Sequence, residues 1–213
     1  IAVLQILTFA EGFTDAPPLS PASVHRFAES GRLAFADRAR YLADPAFADV
    51  PVKALLDPSY LAARKQLIRS DASMGRAIPG DLPGKSSLGE DRSAELPATT
   101  HLSIVDSEGN AVSLTSSIEA AFGSRIMVHG FLLNNQLTDF SFRPEEGGKP
   151  VANRVEAGKR PLSSMAPTIV YDMAGRVAGV LGSPGGSRII NYVARAALAL
   201  FAWGLSPAEA AAL

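Results

Sequence analysis

Thr99 is the residue whose setting most suggests chemistry. It lies in Ala98-Thr99-Thr100-His101, where a loop rich in glycine, proline and serine gives way to a predicted strand. A threonine hydroxyl is a poor nucleophile unless a base stands beside it. A threonine that begins a chain carries its own base, because a free α-amine has a pKa of about 7.7–8.0. An internal threonine reaches that state only if the bond before it is cut. The segment therefore reads as a self-cleavage site that uncovers Thr99. The plain alternative is the start of a strand with two β-branched residues.

Other candidates lie downstream. Gly182-Ser183-Pro184-Gly185-Gly186-Ser187 is a glycine-rich turn between a predicted strand and a predicted helix. Backbone N–H groups at such a helix start suit a phosphate or the oxyanion of acyl transfer. Taken alone, the turn reads first as a plain tight connection. It lacks the P-loop lysine, the dinucleotide-binding glycine spacing and the nucleophile-elbow pattern. Leu133-Asn134-Asn135-Gln136-Leu137-Thr138-Asp139-Phe140 is either an Asx-rich turn or a binding rim, with Asp139 as an anion for an ammonium group. Pro161-Leu162-Ser163-Ser164-Met165 sets adjacent hydroxyls on a loop. His25, His101 and His129 are far apart and show no metal-ligand spacing. Arg64, Lys65 and Arg69 read as one solvated helix face.

The elements that must position these residues change character along the chain. Residues 1 to about 71 read as helical. Ile1 to Leu7 opens in an apolar run. Ser20-Pro21 starts a helix whose apolar set is Val24, Phe27, Ala28, Leu33 and Ala36, and Asp44-Pro45 stops it. Asp57-Pro58 starts another, with Tyr60, Leu61, Leu67 and Ile68. From Asp71 to Ala98 there is no periodicity, and Pro79, Pro83 and Pro97 interrupt the run. After Thr99 the pattern turns to hairpins: 100–105 with 111–118, and 168–171 with 176–181. A helix follows from about Ser187 to Trp203, with Gly204 just past its end. Ser206-Pro207-Ala208-Glu209 is a capping-box helix start close to Leu213. Together with the uncapped opening, it predicts a slice of a longer polypeptide.

Bulk properties narrow the classes. The chain has 213 residues, 47% hydrophobic and 19% charged, with net charge −1. That balance sets up no global field for nucleic acid or anionic membrane. There are no cysteines, which excludes disulfides, thiolate metal sites and a cysteine nucleophile. No apolar run approaches the ~18 residues of a membrane span.

Taken together, these segments resemble the gamma-glutamyltranspeptidase family of N-terminal-nucleophile hydrolases. The resemblance rests on Thr99-Thr100-His101, Asp106 to Asn110, Leu133 to Phe140, Arg160 to Met165 and Gly182 to Arg188, in the family's order and spacing. Phe35-Ala36-Asp37-Arg38 and Tyr41 to Pro45 resemble the end of the family's large subunit. The resemblance implies an α+β fold, the αββα four-layer sandwich, only partly represented. It divides the chain into 1–98, the end of the large subunit with a processing loop at 72–98, and 99–213, the start of the small catalytic subunit. The two form one structural domain after processing.

The resemblance also implies roles. Thr99 is the nucleophile, Ser117 a hydroxyl that supports it, and Gly185 and Gly186 the oxyanion hole. Glu119 and Asp139 meet the donor's α-amino end, Gln136 is a nearby polar contact, and Ser163 and Ser164 hold the α-carboxylate. Donors would be glutathione or other gamma-glutamyl amides, and acceptors an amino acid, a peptide or water. No cofactor, metal, nucleic-acid partner or membrane span is expected, and relatives point to the periplasm or secretion. The family holds the α-carboxylate with a further arginine from upstream of these residues; Arg125 and Arg188 are the first to examine as substitutes. The 139–160 segment, with Glu145-Glu146-Gly147-Gly148, lacks the tyrosine-bearing lid of some members. Two other readings stay open: a glutaryl-cephalosporin-type acylase, against which Asp139 argues, and an inactive structural fragment.

Overall fold

The computed structural model describes residues 1–12, 16–85, 87–93 and 98–213. Residues 86 and 94–97 of the predicted processing loop, Pro97 among them, lie outside the described residues. The helices are α1 (Ala2–Ala10), α2 (Pro21–Tyr41), α3 (Val52–Leu55), α4 (Pro58–Lys65), α5 (Ile189–Ala197) and α6 (Pro207–Ala212). The strands are β1 (Thr100–Val105), β2 (Ala111–Ser116), β3 (Met127–Val128), β4 (Phe131–Leu132), β5 (Glu145–Glu146), β6 (Lys149–Pro150), β7 (Thr168–Tyr171) and β8 (Val177–Leu181). They pair as four antiparallel hairpins. The chain divides into two compact units that do not follow the 98/99 division. Unit 1 is Ile1–Ser93, Phe140–Leu162 and Leu198–Leu213; unit 2 is Ala94–Asp139 and Ser163–Ala197.

Unit 1 is built on helices whose starts are written in the sequence. Ser20 caps α2 by accepting the Ser23 N–H at 3.3 Å. Asp57 caps α4 by accepting from Ser59 N at 2.9 Å and Tyr60 N at 3.2 Å. Each is followed by proline at the first helical position, where its missing N–H costs nothing. The helices bury Phe9, Leu33, Leu61 and Ile68 in one cluster and Tyr41, Leu55 and Leu82 in another. At the C-terminal end the Ser206–Glu209 capping box is formed.

The predicted apolar face of α2 is only in part its buried face: Leu33 is buried and Phe27 and Ala36 are half-buried. Val24 and Ala28 are exposed, while Ser23, Arg26, Glu29, Ser30 and Asp37 are buried beside Leu33 and Tyr41. These polar groups are inside because each has a bond to make. Arg26 Nε donates to the Phe9 carbonyl at 3.0 Å. Glu29 accepts from the Ser73 hydroxyl at 2.8 Å and Met74 N at 2.7 Å. Burial pushes the Glu29 carboxyl up, but those two bonds and the nearby Arg32 and His25 outweigh it and hold the group below its ordinary range. Asp37 accepts from Gln5 Nε2 (3.2 Å), Tyr60 Oη (2.8 Å), Arg64 (3.0 Å) and Gly80 N (2.9 Å).

Arg64 corrects the solvated-face reading. It is 7% exposed, paired with Asp37, and also donates to the Ile78 carbonyl at 2.8 Å. Arg69, by contrast, is exposed and pairs with Asp71 at the surface. The aperiodic run after Asp71 is thus fastened by side chains rather than by a ladder. Further along, Gly89 N donates to the Pro150 carbonyl and Asp91 N to the Ala39 carbonyl, at 2.9 and 2.8 Å.

Unit 2 holds two hairpins and α5. β1 pairs with β2 from Thr100↔Ser116 to Val105↔Ala111. Their turn is closed by Asp106, which accepts from Asn110 Nδ2 at 2.7 Å and Asn110 N at 2.8 Å. β2 stops at Ser116, two residues short of the predicted Ile118. β7 pairs with β8 with a bulge at Val170/Tyr171. Ser113 links the hairpins: its hydroxyl accepts from Thr168 N at 3.1 Å and donates to the Leu181 carbonyl at 2.9 Å. On the row that faces β7–β8, His101, Ser103, Ser113 and Thr115 are polar, and Leu102, Ile104, Val112 and Leu114 on the other face are exposed. The predicted 187–203 helix is three pieces: a 3-10 turn at Gly186–Arg188, then α5, and in unit 1 a π-helical turn at Leu198–Ala202.

Candidate active site

Unit 2 gathers the residues that the sequence singled out. The Thr100↔Ser116 pair closes the open end of the β1–β2 hairpin, which brings Thr99 and Ser117 side by side just beyond it. The Ser117 hydroxyl donates to the Ala98 carbonyl at 2.5 Å and accepts from Glu119 N at 2.9 Å. That carbonyl belongs to the Ala98–Thr99 peptide bond. A charge-withdrawing donor on its oxygen is what attack at its carbon requires.

Glu119 sits in an unusual backbone conformation for a non-glycine residue, with φ 71°. Its side chain is turned inward and the residue is 4% exposed. Asn135 Nδ2 donates to Glu119 Oε2 at 2.5 Å, and Asn135 Oδ1 accepts from Ala120 N at 2.9 Å. Gln136–Asp139 forms a single 3-10 turn immediately after Asn135.

One pocket joins these elements. Thr99, Ser117, Glu119, Gln136 and Asp139 line it from one side of the chain. Ser163, Ser164, Met165, Gly186 and Ile189 complete it. Its free volume is about 30 Å³, room for ordered water between the polar groups. A second cavity of about 370 Å³ shares Thr99 and Ser117 and is otherwise lined by Ala98, Thr100, Ser116, Ile118, Ala120 and Ala121. Thr99 thus stands between two spaces, one rich in carboxylates and hydroxyls, the other lined by small side chains. Among the described residues, no Lys, Arg or His is in either lining, and Arg125 and Arg188 are in neither.

Gly186 reaches the pocket with φ 57°; Gly185, with φ 136°, precedes it and is not among the lining residues. A side chain at Gly185 would be strained and would meet the Tyr192 ring at 2.9 Å. His101, on β1, is held by Thr115 Oγ1 at 2.9 Å and Ser103 Oγ at 3.0 Å. Its ring lies so close to Gly182 that a Cβ there would be 2.0 Å from it. Burial lowers the His101 pKa.

The family model described as Gamma-glutamyltranspeptidase matches residues 1–213. The chain belongs to the gamma-glutamyltranspeptidase family. It is 44% identical over 188 residues to a glutathione hydrolase proenzyme of Bacillus subtilis, covering 84% of this chain and 31% of that protein. It is 39% identical over 224 residues to a glutathione hydrolase proenzyme of Escherichia coli, covering 99% of this chain and 36% of that protein. The chain therefore spans about a third of the length of these curated relatives. Among solved structures it resembles a cephalosporin acylase from Bacillus halodurans, with TM-score 0.79 and 24% identity over 100% of this chain and 35% of that one. The fold is the α+β fold of N-terminal-nucleophile hydrolases, present in part.

Sequence reasoning in this family member missed Asn135 as anything more than one amide in a polar segment. Its two bonds to the 119–120 turn span fifteen and sixteen residues, and no local pattern announces such a pairing. Met165 and Ile189 were also not singled out; they supply the apolar part of the lining.

Proposed function

We propose that this chain is part of a gamma-glutamyl transferase/hydrolase that acts through an acyl ester on Thr99 after self-cleavage at Ala98–Thr99. The observation that carries the reading is the pocket that puts Thr99 beside two carboxylates, two serine hydroxyls and the Gly186 backbone.

Self-cleavage begins with Thr99 Oγ attacking the Ala98 carbonyl carbon, while the Ser117 hydroxyl holds the carbonyl oxygen. The C–N bond breaks, the acyl group passes to Oγ, and the proton from Oγ ends on the new amine. Water then hydrolyses that ester, leaving a carboxylate on Ala98 and a free α-amine on Thr99. Ala98 lines the larger cavity, so its departure widens the space next to the nucleophile. The processed large and small subunits remain paired as the working enzyme.

In turnover the Thr99 α-amine takes the hydroxyl proton as Oγ attacks the donor's γ-carbonyl. Gly185 and Gly186 N–H groups receive the developing oxyanion. The protonated amine hands its proton to the leaving nitrogen, and water or an amine acceptor then takes the acyl group from Oγ. Asp139 and Glu119 pair with the donor's α-ammonium, Gln136 adds a polar contact, and Ser163 and Ser164 donate to the α-carboxylate. Two carboxylates, with no cationic side chain among the described lining residues, favour a gamma-glutamyl donor over a glutaryl one, which has no ammonium to place there.

The test is Asp139→Asn in the full natural polypeptide, assayed with gamma-glutamyl and glutaryl anilides. Loss of one partner of a desolvated charge pair costs about 3–5 kcal/mol, so the gamma-glutamyl anilide should lose most of its kcat/KM and the glutaryl anilide little. Equal losses would show that Asp139 does not read the α-amino group.

A further inference from the structure

We infer that Asn135 is the positioning residue for Glu119, and that its side-chain amide sets the enzyme's recognition of the donor's α-ammonium without touching the donor. The inference rests on the functional reading above for the role of Glu119 itself.

Glu119 occupies a left-handed conformation that side-chain-bearing residues rarely adopt. Such a conformation persists where the surroundings over-determine it. Three bonds do so here. Ser117 Oγ accepts Glu119 N at 2.9 Å, Asn135 Oδ1 accepts Ala120 N at 2.9 Å, and Asn135 N donates to the Ile118 carbonyl at 3.2 Å. The turn that bears Glu119 is thus clamped on both sides.

The fourth bond sets the side chain. Asn135 Nδ2 donates to Glu119 Oε2, and among the described residues it is the carboxylate's one side-chain donor. One oxygen is therefore held while the group still lines the pocket. The same Asn135 begins the 3-10 turn that carries Gln136 and Asp139: its carbonyl accepts from Thr138 N at 3.0 Å and Thr138 Oγ1 at 2.9 Å. One residue thereby fixes the spacing of the two carboxylates. Asn135 itself is not in the lining. An amide suits the position because it donates to a carboxylate and accepts from a backbone N–H at once.

The experiment is a double-mutant cycle in the full natural polypeptide, read as KM and kcat for gamma-glutamyl and glutaryl anilides. Asn135→Asp keeps the acceptor for Ala120 N but removes the donor and sets a like charge against Glu119. It should raise KM for the gamma-glutamyl anilide about tenfold or more, with kcat and the glutaryl anilide changed far less. Glu119→Gln added to Asn135→Asp restores a donor–acceptor pair with its direction reversed. The double variant should therefore bind no worse than Glu119→Gln alone. Multiplicative losses in the double variant, or equal losses for both donors, overturn the inference. If Asn135→Asp alone accumulates no processed protein, the double variant should recover processing, and failure to recover it also overturns the inference. A parent enzyme that treats the two anilides alike would instead refute the gamma-glutamyl reading.

Discussion

Asp37 in unit 1 and Glu119 in unit 2 are both buried carboxylates, 1% and 4% exposed. Asp37 accepts from an amide, a phenol, a guanidinium and a backbone N–H. Among the described residues Glu119 has one side-chain donor, and it lines a pocket. A carboxylate supplied with four donors has no capacity left for a ligand, and its effect is to fasten helices and the 78–82 segment together. A carboxylate with one donor at a cavity wall keeps capacity for a cation. Saturation, rather than burial or charge, separates the structural cluster from the candidate site.

The comparison breaks hardest at Thr99. Thr99→Ala in the full polypeptide should abolish the split at Ala98–Thr99 and reduce turnover on the order of 10³-fold or more, since both steps use one hydroxyl. Thr99→Ser should keep part of each. Denaturing mass analysis reads the split directly, and a Thr99→Ala chain still cut at this bond would remove the assignment.

Asp37 should give the opposite signature. Asp37→Ala leaves the Arg64 guanidinium buried without its carboxylate and frees three other donors. Breaking such a pair costs about 3–5 kcal/mol, seen as a lower urea midpoint. The preference for gamma-glutamyl over glutaryl anilide should be unchanged in the protein that remains folded. A changed preference with unchanged stability would mean that the saturated cluster also serves the site.

The sequence carried the starts of elements well and the insides of helices poorly. Ser20-Pro21, Asp57-Pro58 and Ser206-Pro207 are local signals, since a cap needs only its next three residues. β1 and β7 begin and end as alternation predicts. Arg64 departs from expectation because a charged residue reads as exposed, although Leu61 one turn before it on α4 is buried and Ile68, just past the helix end, is buried too. The inward stripe of α2 was missed for the same reason. The hairpins at 127–132 and 145–150 were missed although each turns on two residues of positive φ, His129-Gly130 and Gly147-Gly148, a known mark of tight hairpins. The candidate site was more legible because its residues are polar groups at turns. Asn135 was the exception, because its partners are fifteen and sixteen residues away.

Gly182 tests whether the glycine-rich turn is a packing surface as well as a candidate oxyanion hole. A methyl group there would lie 2.0 Å from the His101 ring, which is itself held by two hydroxyls. Gly182→Ala should therefore cost about 1–3 kcal/mol, as overpacking does, and should displace β1 next to Thr99. Pairing it with His101→Ala, which empties the space, should recover most of the stability. Additive losses would show that the close approach matters little.

The smallest effect expected is on pH, and it separates the two units by window. Burial lowers the His101 pKa below its ordinary value near 6.5. The unfolded chain then takes up protons at a higher pH than the folded one, so stability present above about pH 6.5 is lost as pH falls through the lower folded value. Glu29 in unit 1 is also lowered, as burial is outweighed by the Met74 and Ser73 bonds. Its contribution is present above the ordinary carboxyl pKa and is lost only as pH falls below that range. On slow acidification, amide protection relative to the intrinsic exchange rate at each pH should fall in β1, β2 and β8 before it falls in α2. The difference is modest, because His101 is partly exposed and solvent screens its charge. His101→Gln has no titrating ring and should remove the earlier step while leaving the later one. If α2 loosens first, or if the glutamine variant keeps the early step, the separation of the two units by pH is wrong.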